Sequence, residues 1–397
     1  MQPPPSNPYV AIACGGTGGH LYPGIAVAEV LQQRGCDVLL LISPKEVDQS
    51  AVRAVIGMDI ETLPAVGLSL GGLLPFCRGF WRSLRTCRAV FARRPPQAVL
   101  AMGGFTSAPP ILAAKRCRAA TFVHEANSIP GRANRWLAPW IDQAFVYFPM
   151  ATRRLRQRRA FVTGMPVRSQ FQAMDPASCR LMLGLEAERP VLLVMGGSQG
   201  AAGINDLAVR ALPAWAAIAP RWQYLHLTGA KAGDEVRQAY ERLGLKAVVR
   251  PFLTEMELAL NAANAAISRA GASSLAELSA LRVPALVIPY PTAADNHQYF
   301  NALSFVETGA ARMVTQSVAT PPMVADLVYE LMENQPAGEA IRQAMARWHR
   351  PNAAEEIANR MAAALSWPQP DPGPPETVPA ARGALGSSPL GNQRKIG

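Results

Sequence analysis

Twice in this chain an apolar strand runs directly into a glycine-dense turn. The first instance is Val10-Ala-Ile-Ala-Cys14, followed by Gly15-Gly16-Thr17-Gly18-Gly19, His20 and then Pro23. The second is Val191-Leu-Leu-Val-Met195, followed by Gly196-Gly197-Ser198-Gln199-Gly200. Consecutive glycines let backbone N–H groups converge on one point without Cβ obstruction. A helix that starts after such a turn adds the positive end of its dipole, so the turn attracts phosphate. The recurrence of this unit predicts two related nucleotide- or phosphate-binding halves with the substrate between them. Two familiar chemistries are disfavoured. The spacing is not Gly-x-Gly-x-x-Gly, and the second strand ends Leu41-Ile42-Ser43, with no acid to hold a ribose as dinucleotide enzymes require. No Gly-x-x-x-x-Gly-Lys-Ser/Thr loop is present either.

The rest of the sequence fits two domains. A length of 397 residues exceeds what one core usually serves, and 49% hydrophobic against 17% charged residues suits a globular α/β protein. Strands are expected at 9–14, 38–42, 59–63, 97–101 and 120–124, with helices between them from about Pro23, Glu46 and Thr106. The second half repeats the scheme, with strands at 191–195, 223–228, 247–250, 264–268 and 283–288 and helices such as 203–212 and 273–282. Short strands alternating with helices indicate doubly wound parallel sheets. The expected organisation is an arm over 1–8, a first domain over 9–166, a second over 167–340, a helical region over 341–366 and a Pro/Gly-rich disordered tail over 367–397.

Charge and cysteines bound the partners. The formal net charge of +11 implies an anionic partner. The six cysteines are scattered without a Cys-x-x-Cys pair, so neither a zinc site nor a disulfide framework is expected. Met1-Gln-Pro-Pro-Pro is not a signal-peptide start, and no apolar run qualifies as a membrane span, which places the protein in a reducing cytoplasm. A nucleic-acid partner is disfavoured, because the arginines lack interleaved aromatic platforms.

Several residues invite a chemical role. His20 follows the glycines where a helix begins. It is either a surface turn histidine or a general base, kept neutral by the helix N-terminus. Ser198 can bind a diphosphate or simply cap the next helix. Ser274-x-x-Glu277 matches a capping box, but a carboxylate there can instead accept ribose hydroxyls; the residues alone leave the two even. Asp295-Asn296-His297-Gln298 can read sugar hydroxyls, with a helix cap by Asp295 as the alternative.

A second kind of signal lies between the first glycine loop and the middle of the first domain. Leu68–Phe76 is uncharged and apolar, and Arg78, Arg82, Arg85, Arg88, Arg93 and Arg94 follow without an acid. An apolar loop beside a basic helix predicts reversible docking on an anionic bilayer. The expected contacts are Leu70, Leu73, Leu74, Phe76, Arg78, Phe80, Trp81, Arg82 and Arg85.

Together these motifs resemble the MurG family of glycosyltransferases. The resemblance rests on Gly15-Gly16-Thr17-Gly18-Gly19-His20 with Pro23-Gly24, Gly103-Gly104-Phe105-Thr106-Ser107, His124-Glu125-Ala126-Asn127, Gly164-Met165-Pro166-Val167-Arg168, Gly196-Gly197-Ser198-Gln199-Gly200, Arg269-Ala270-Gly271-Ala272 with Glu277, and Asp295-Asn296-His297-Gln298, in that order. Met165 and Ala126 depart from the family's usual asparagine and glutamine. The family implies a GT-B fold of two Rossmann-like domains. It also implies inverting transfer of N-acetylglucosamine from UDP-GlcNAc to the muramoyl 4-hydroxyl of lipid I, giving lipid II for peptidoglycan. By resemblance, Thr17, Gly18, Gly19, Asn127, Arg168 and Ser198 contact the donor, and Leu253 binds uracil through its backbone. Ala272, Ser273, Ser274, Leu275, Ala276 and Glu277 wrap the nucleotide, with Glu277 on the ribose, and Gln298 contacts the sugar.

For the chemistry, His20 is the first candidate base and Glu125 the second. Glycine-loop N–H groups, Ser198 and Arg168 are expected to stabilise the leaving diphosphate. The sequence has no Asp-x-Asp pair, so no metal or other cofactor is expected. Expected partners are UDP-GlcNAc, lipid I, anionic phospholipid and other cell-wall synthesis proteins, at the cytoplasmic face of the bacterial inner membrane. The rival readings are another GT-B enzyme, such as a glycolipid transferase or a UDP-GlcNAc 2-epimerase, and a non-catalytic membrane scaffold.

Overall fold

The computed structural model describes residues 7–53, 55–65, 72–196 and 202–367. The first domain runs β1 (Tyr9–Ala13), α1 (Gly18–Gln33), β2 (Asp37–Ile42), α2 (Glu46–Val52), β3 (Asp59–Thr62), α3 (Leu73–Arg93), β4 (Ala98–Ala101), α4 (Ala108–Arg116), β5 (Ala120–Glu125), α5 (Arg132–Leu137), β6 (Gln143–Val146), α6 (Pro149–Leu155) and β7 (Ala160–Val162). The second begins with α7 (Pro176–Met182), β8 (Val191–Met195), α8 (Ala202–Ile218), β9 (Gln223–Leu227), α9 (Gly233–Arg242) and β10 (Lys246–Arg250). It continues with α10 (Met256–Ala262), β11 (Ala265–Ser268), α11 (Ala272–Ala280), β12 (Ala285–Val287), α12 (His297–Glu307), β13 (Arg312–Met313), α13 (Pro321–Glu333) and α14 (Gln335–Ala346). Last comes α15 (Ala353–Ala364).

Each domain is a twisted sheet with helices on both faces, and every strand pair is parallel. The strand orders are β3-β2-β1-β4-β5-β6-β7 and β10-β9-β8-β11-β12-β13. Through six strands the two orders are the same, so the repeated strand–glycine unit is the visible edge of a repeated topology. The central strands β1 and β8 are buried at every position, as a strand covered on both faces must be. In both sheets the chain reverses direction between the first and fourth strands. Ligands of open α/β sheets bind at that reversal, beyond the strands' C-terminal ends.

The sequence reading differs from the structure in three places. The first helix starts at Gly18, not near Pro23, so His20 lies in its first turn and Pro23 inside it. The strands β6, β7 and β13 and the helices α5, α6, α7 and α13 are additional elements. These strands span only 4, 3 and 2 residues, too few to show a period. The helical region expected over 341–366 is two helices in two domains. α14 packs on α11 and α13, whereas α15 returns to α1. There Ile357, Ala358 and Met361 are buried with Val10, Ile12 and Leu40 of the first sheet. The chain therefore crosses between domains twice, near Gly164 and near Arg350. A Cβ on Gly164 would lie 2.9 Å from Arg350 Cβ, so the crossings run side by side. The Trp348 ring stacks on Phe305 beside them, 4.5 Å between centroids.

Candidate active site

The first domain builds its half of the site around His20. The loop after β1 is tied down by Asp48, a buried residue that the sequence reading did not single out. Its Oδ2 accepts hydrogen bonds from Gly16 N at 2.6 Å and from Ser43 Oγ at 2.6 Å. Thr106 Oγ1, from the loop after β4, donates to Gly15 O at 2.7 Å. The two loops flanking the sheet's reversal point are thus bonded together, and the imidazole of His20 fills the space between them. A Cβ on Gly103 would sit 3.0 Å from His20 Cε1, and one on Gly104 would sit 3.1 Å from Cδ2. Both glycines have positive φ, 107° and 77°. They serve the close approach and the turn at once. Desolvation lowers the His20 pKa to about 4, against smaller opposing pulls from the Met102 backbone and Asp48. Burial thus favours the neutral form of the ring.

Glu125 has a different character. It is buried at the end of β5, and desolvation raises its pKa. Its Oε1 accepts from Asn127 N at 2.8 Å, and its Oε2 from Gly131 N at 2.9 Å and Asn134 Nδ2 at 2.8 Å. These donors occupy both oxygens and hold the 126–134 loop in shape. The geometry therefore speaks against Glu125 as second candidate for the base.

The second domain presents the start of α11. Here the structure removes one of the two readings of Ser274-x-x-Glu277. The N-cap is Gly271, and no side chain caps the helix. Ser274 is already inside the first turn, so the capping box is not formed. Glu277 instead lines a small interdomain pocket with Tyr22, Pro23, Met165, Pro166, Arg168 and Ser273. Desolvation pushes its carboxyl up to about 7, although Arg168 nearby pulls it down. The Arg168 guanidinium lies over the Tyr22 ring at 4.2 Å and over Phe171 at 5.0 Å, and its buried Nε has no hydrogen-bond partner among the described residues. The domains touch directly where Ser273 Oγ donates to Gly19 O at 3.3 Å. Pro23 explains why that carbonyl is available. Residue i+4 of a helix normally donates to it, and proline has no N–H.

The remaining predicted residues are distributed as follows. Thr17 is the N-cap of α1 in extended backbone, but its side chain makes no capping bond. Ala272 and Leu275 are buried on the core side of α11, and Ala276, also buried, lines the pocket beside Glu277. Leu253 is buried as a whole residue, backbone included, while its neighbour Phe252 is 57% exposed. Gln298 Oε1 accepts from Tyr290 N at 3.0 Å. Asn127 Oδ1 accepts from Asn301 Nδ2 at 3.0 Å, which brings the β5–α5 loop onto the second domain. Asn301 carried no motif signal, because a helix-face asparagine looks like any other in one sequence. Asp295 neither caps α12, whose N-cap is Asn296, nor stands free; it pairs with Arg132 and Arg135 of the first domain. Ser198 and Leu70 lie outside the described residues, as does the second glycine loop from Gly197.

The basic helix α3 buries Gly79, Ser83, Leu84, Cys87 and Phe91 against the sheet. Its outer side exposes Leu73, Leu74 and Trp81, at 68%, 77% and 58%, together with Arg78, Arg82 and Arg85. Phe76 and Phe80 differ from the expected outward contact. Both are half-buried, and Phe80 packs onto the core. No helix among the described residues is long and apolar enough to cross a membrane.

Comparison with known proteins agrees with this geometry. Residues 10–146 match the glycosyltransferase family 28 N-terminal domain, and residues 191–361 match its C-terminal domain. A relative from Anaeromyxobacter dehalogenans is named UDP-N-acetylglucosamine–N-acetylmuramyl-(pentapeptide) pyrophosphoryl-undecaprenol N-acetylglucosamine transferase. It is 36% identical over 359 residues, covering 88% of this chain and 91% of its own length. A relative of the same name from Lacticaseibacillus casei is 32% identical, with 90% and 99% covered. Among solved structures, Acinetobacter baumannii MurG superposes with a TM-score of 0.70 at 25% identity, over 90% of this chain and 99% of that one.

Proposed function

This chain belongs to glycosyltransferase family 28, among the MurG-type N-acetylglucosamine transferases, and from that membership we infer how its residues divide the reaction. It is a GT-B enzyme of peptidoglycan synthesis. It moves N-acetylglucosamine from UDP-N-acetylglucosamine to the N-acetylmuramyl-pentapeptide pyrophosphoryl-undecaprenol acceptor, the transfer for which its relatives are named.

In our reading the muramoyl 4-hydroxyl attacks the anomeric carbon of the donor. The new C–O bond forms as the bond to UDP breaks, with inversion. His20 takes the hydroxyl proton. The observation that carries this assignment is the placement of the His20 imidazole between Gly103 and Gly104 at the reversal point of the first sheet, where burial favours the neutral ring. A bound diphosphate beside the ring strengthens it as a base, because a nearby negative charge favours imidazolium. Glu277 accepts the ribose hydroxyls, and Arg168 with the N–H groups of Thr17, Gly18 and Gly19 meets the leaving diphosphate. Ser198, Asn127, Leu253 and Gln298 complete the donor site as the resemblance implies. No metal is assigned a role, since the leaving charge already has these cationic and N–H partners.

Incubation of the protein with labelled UDP-N-acetylglucosamine and a lipid-linked muramyl-pentapeptide diphosphate should yield a lipid-linked disaccharide with inverted configuration. No product, or product of retained configuration, overturns the reading.

The acceptor's lipid tail calls for a bilayer, and the outer side of α3 suits one. Each arginine near an anionic surface is worth roughly 1 kcal/mol, and each inserted Leu or Trp up to about 1.5–3 kcal/mol. We place the enzyme peripherally on the cytoplasmic face of the inner membrane, through Leu73, Leu74, Trp81, Arg78, Arg82 and Arg85. Binding to anionic vesicles should exceed binding to neutral ones and weaken with salt; equal partition at all salt levels rejects the electrostatic part.

A further inference from the structure

The loop between β12 and α12 holds an uncommon backbone shape. Asp295 and Asn296 are consecutive non-glycine residues with φ of 52° and 54°. L residues seldom occupy the left-handed region twice in succession, and such strain persists only where other contacts over-determine it. Here the loop's own bonds, from Asn296 N to Ala293 O at 2.8 Å and from Tyr290 N to Gln298 Oε1 at 3.0 Å, are joined by contacts from the other domain. Asp295 Oδ1 accepts from Arg132 Nη2 at 3.3 Å, and Oδ2 accepts from Arg135 Nη2. Both arginines stand on α5. One turn into α12, the fully buried Asn301 makes a second grip. Its Oδ1 accepts from Ser128 N at 2.8 Å, and its Nδ2 donates to Asn127 Oδ1 at 3.0 Å and to Ala270 O at 3.1 Å. The two grips take hold of opposite ends of one first-domain segment, 127–135. Gln298 lies between them on the second-domain side.

We propose that Asp295 is a positioning residue: its paired contact with Arg132 and Arg135 is a clasp that fixes the 290–298 loop, and Gln298 with it, against the first domain and so sets the gap across which the sugar passes. The role of Gln298 toward the sugar rests on the function proposed above; the clasp itself does not. An exposed ion pair contributes little to folding. Closure of two domains, however, is a balance of small terms, so a contact that shifts it severalfold is visible in substrate binding. The clasp also differs in kind from Asn301. Charges at this exposure are screened by salt, whereas a buried amide is not.

The test uses the full chain with Asp295→Asn, Arg135→Gln and the double variant. Hydrogen exchange should quicken in both 127–135 and 290–298 in each single variant, while the strands of the two sheets keep their protection. The KM for UDP-N-acetylglucosamine should rise about fivefold or more, and by more than the Kd for UDP alone. The double variant should be no worse than Asp295→Asn alone, and Asp295→Glu should restore most of the loss. Unchanged exchange in 127–135, or single effects that multiply in the double variant, overturns the clasp. If the unsubstituted protein makes no disaccharide, the donor reading fails while the exchange experiment still decides the clasp. If it turns over normally and Asp295→Asn moves neither exchange nor KM, the clasp alone fails.

Discussion

Glu125 and Glu277 flank the site from opposite domains, and burial pushes both toward the neutral form. Around Glu125 the protein supplies every donor: two backbone N–H groups and the Asn134 amide on its two oxygens. Around Glu277 no donor among the described residues bonds the carboxyl, and the field of Arg168 is the influence that favours its charged form. A buried acid whose bonding is complete is part of the scaffold. One left short of donors, at a seam open to a ligand, is where a ligand's hydroxyls complete the set. The first domain therefore reads as a rigid platform for His20, and the second as the half that awaits the nucleotide.

The contrast breaks most readily at His20. His20→Ala should lower kcat by about 10²–10⁴-fold, the usual contribution of a positioned base, while calorimetric UDP affinity holds within about twofold. Near-normal turnover removes His20 from the chemistry. Gly103→Ala tests the platform itself. The added Cβ meets the imidazole at 3.0 Å on a backbone with φ of 107°. Displacement of the ring should cost about 10²-fold in kcat with a smaller fall in stability, read by thermal melting.

Glu277→Gln should raise the KM for the donor about tenfold with little change in kcat. It should also remove a pH dependence whose sign follows from the shift. With its folded pKa raised from 4.5 to about 7, the ligand-free protein keeps a proton that the unfolded chain has released. Stability attributable to Glu277 therefore falls as pH rises through that window and levels off above it. UDP affinity runs the other way. It draws on the ionised form, so it weakens as pH drops below about 7, by at most about tenfold per unit. A flat affinity profile for the unsubstituted protein between pH 6 and 8 contradicts the ribose assignment. The smallest effect on catalysis is expected at Glu125→Gln. That change leaves donors without their anionic acceptor and should cost about 1–3 kcal/mol in urea unfolding, with kcat reduced far less than by His20→Ala. Unaltered stability with lost turnover makes Glu125 the base after all.

Much of this was legible in one dimension. Strands such as Val10–Ala13 and Val191–Met195 announce themselves by unbroken apolar runs, and glycine turns by composition, because both depend on neighbours in the chain. His20 could be singled out for the same reason: it follows its loop directly. Short elements such as β13 and single residues such as Asp48 and Asn301 could not, because nothing local marks them.

What the sequence alone determined is the repeated strand–turn–helix unit, hence two parallel-sheet domains with glycine loops at their strand ends. Local sterics and buried-strand composition suffice for that. Only the tertiary structure decided that Gly271, not Ser274, caps α11, that donors from 127–134 fill Glu125, that α15 returns to the first sheet, and that Asp295 reaches Arg132 and Arg135. Those outcomes depend on a three-residue register or on partners as much as some 350 residues apart in the chain, which meet only when the chain packs.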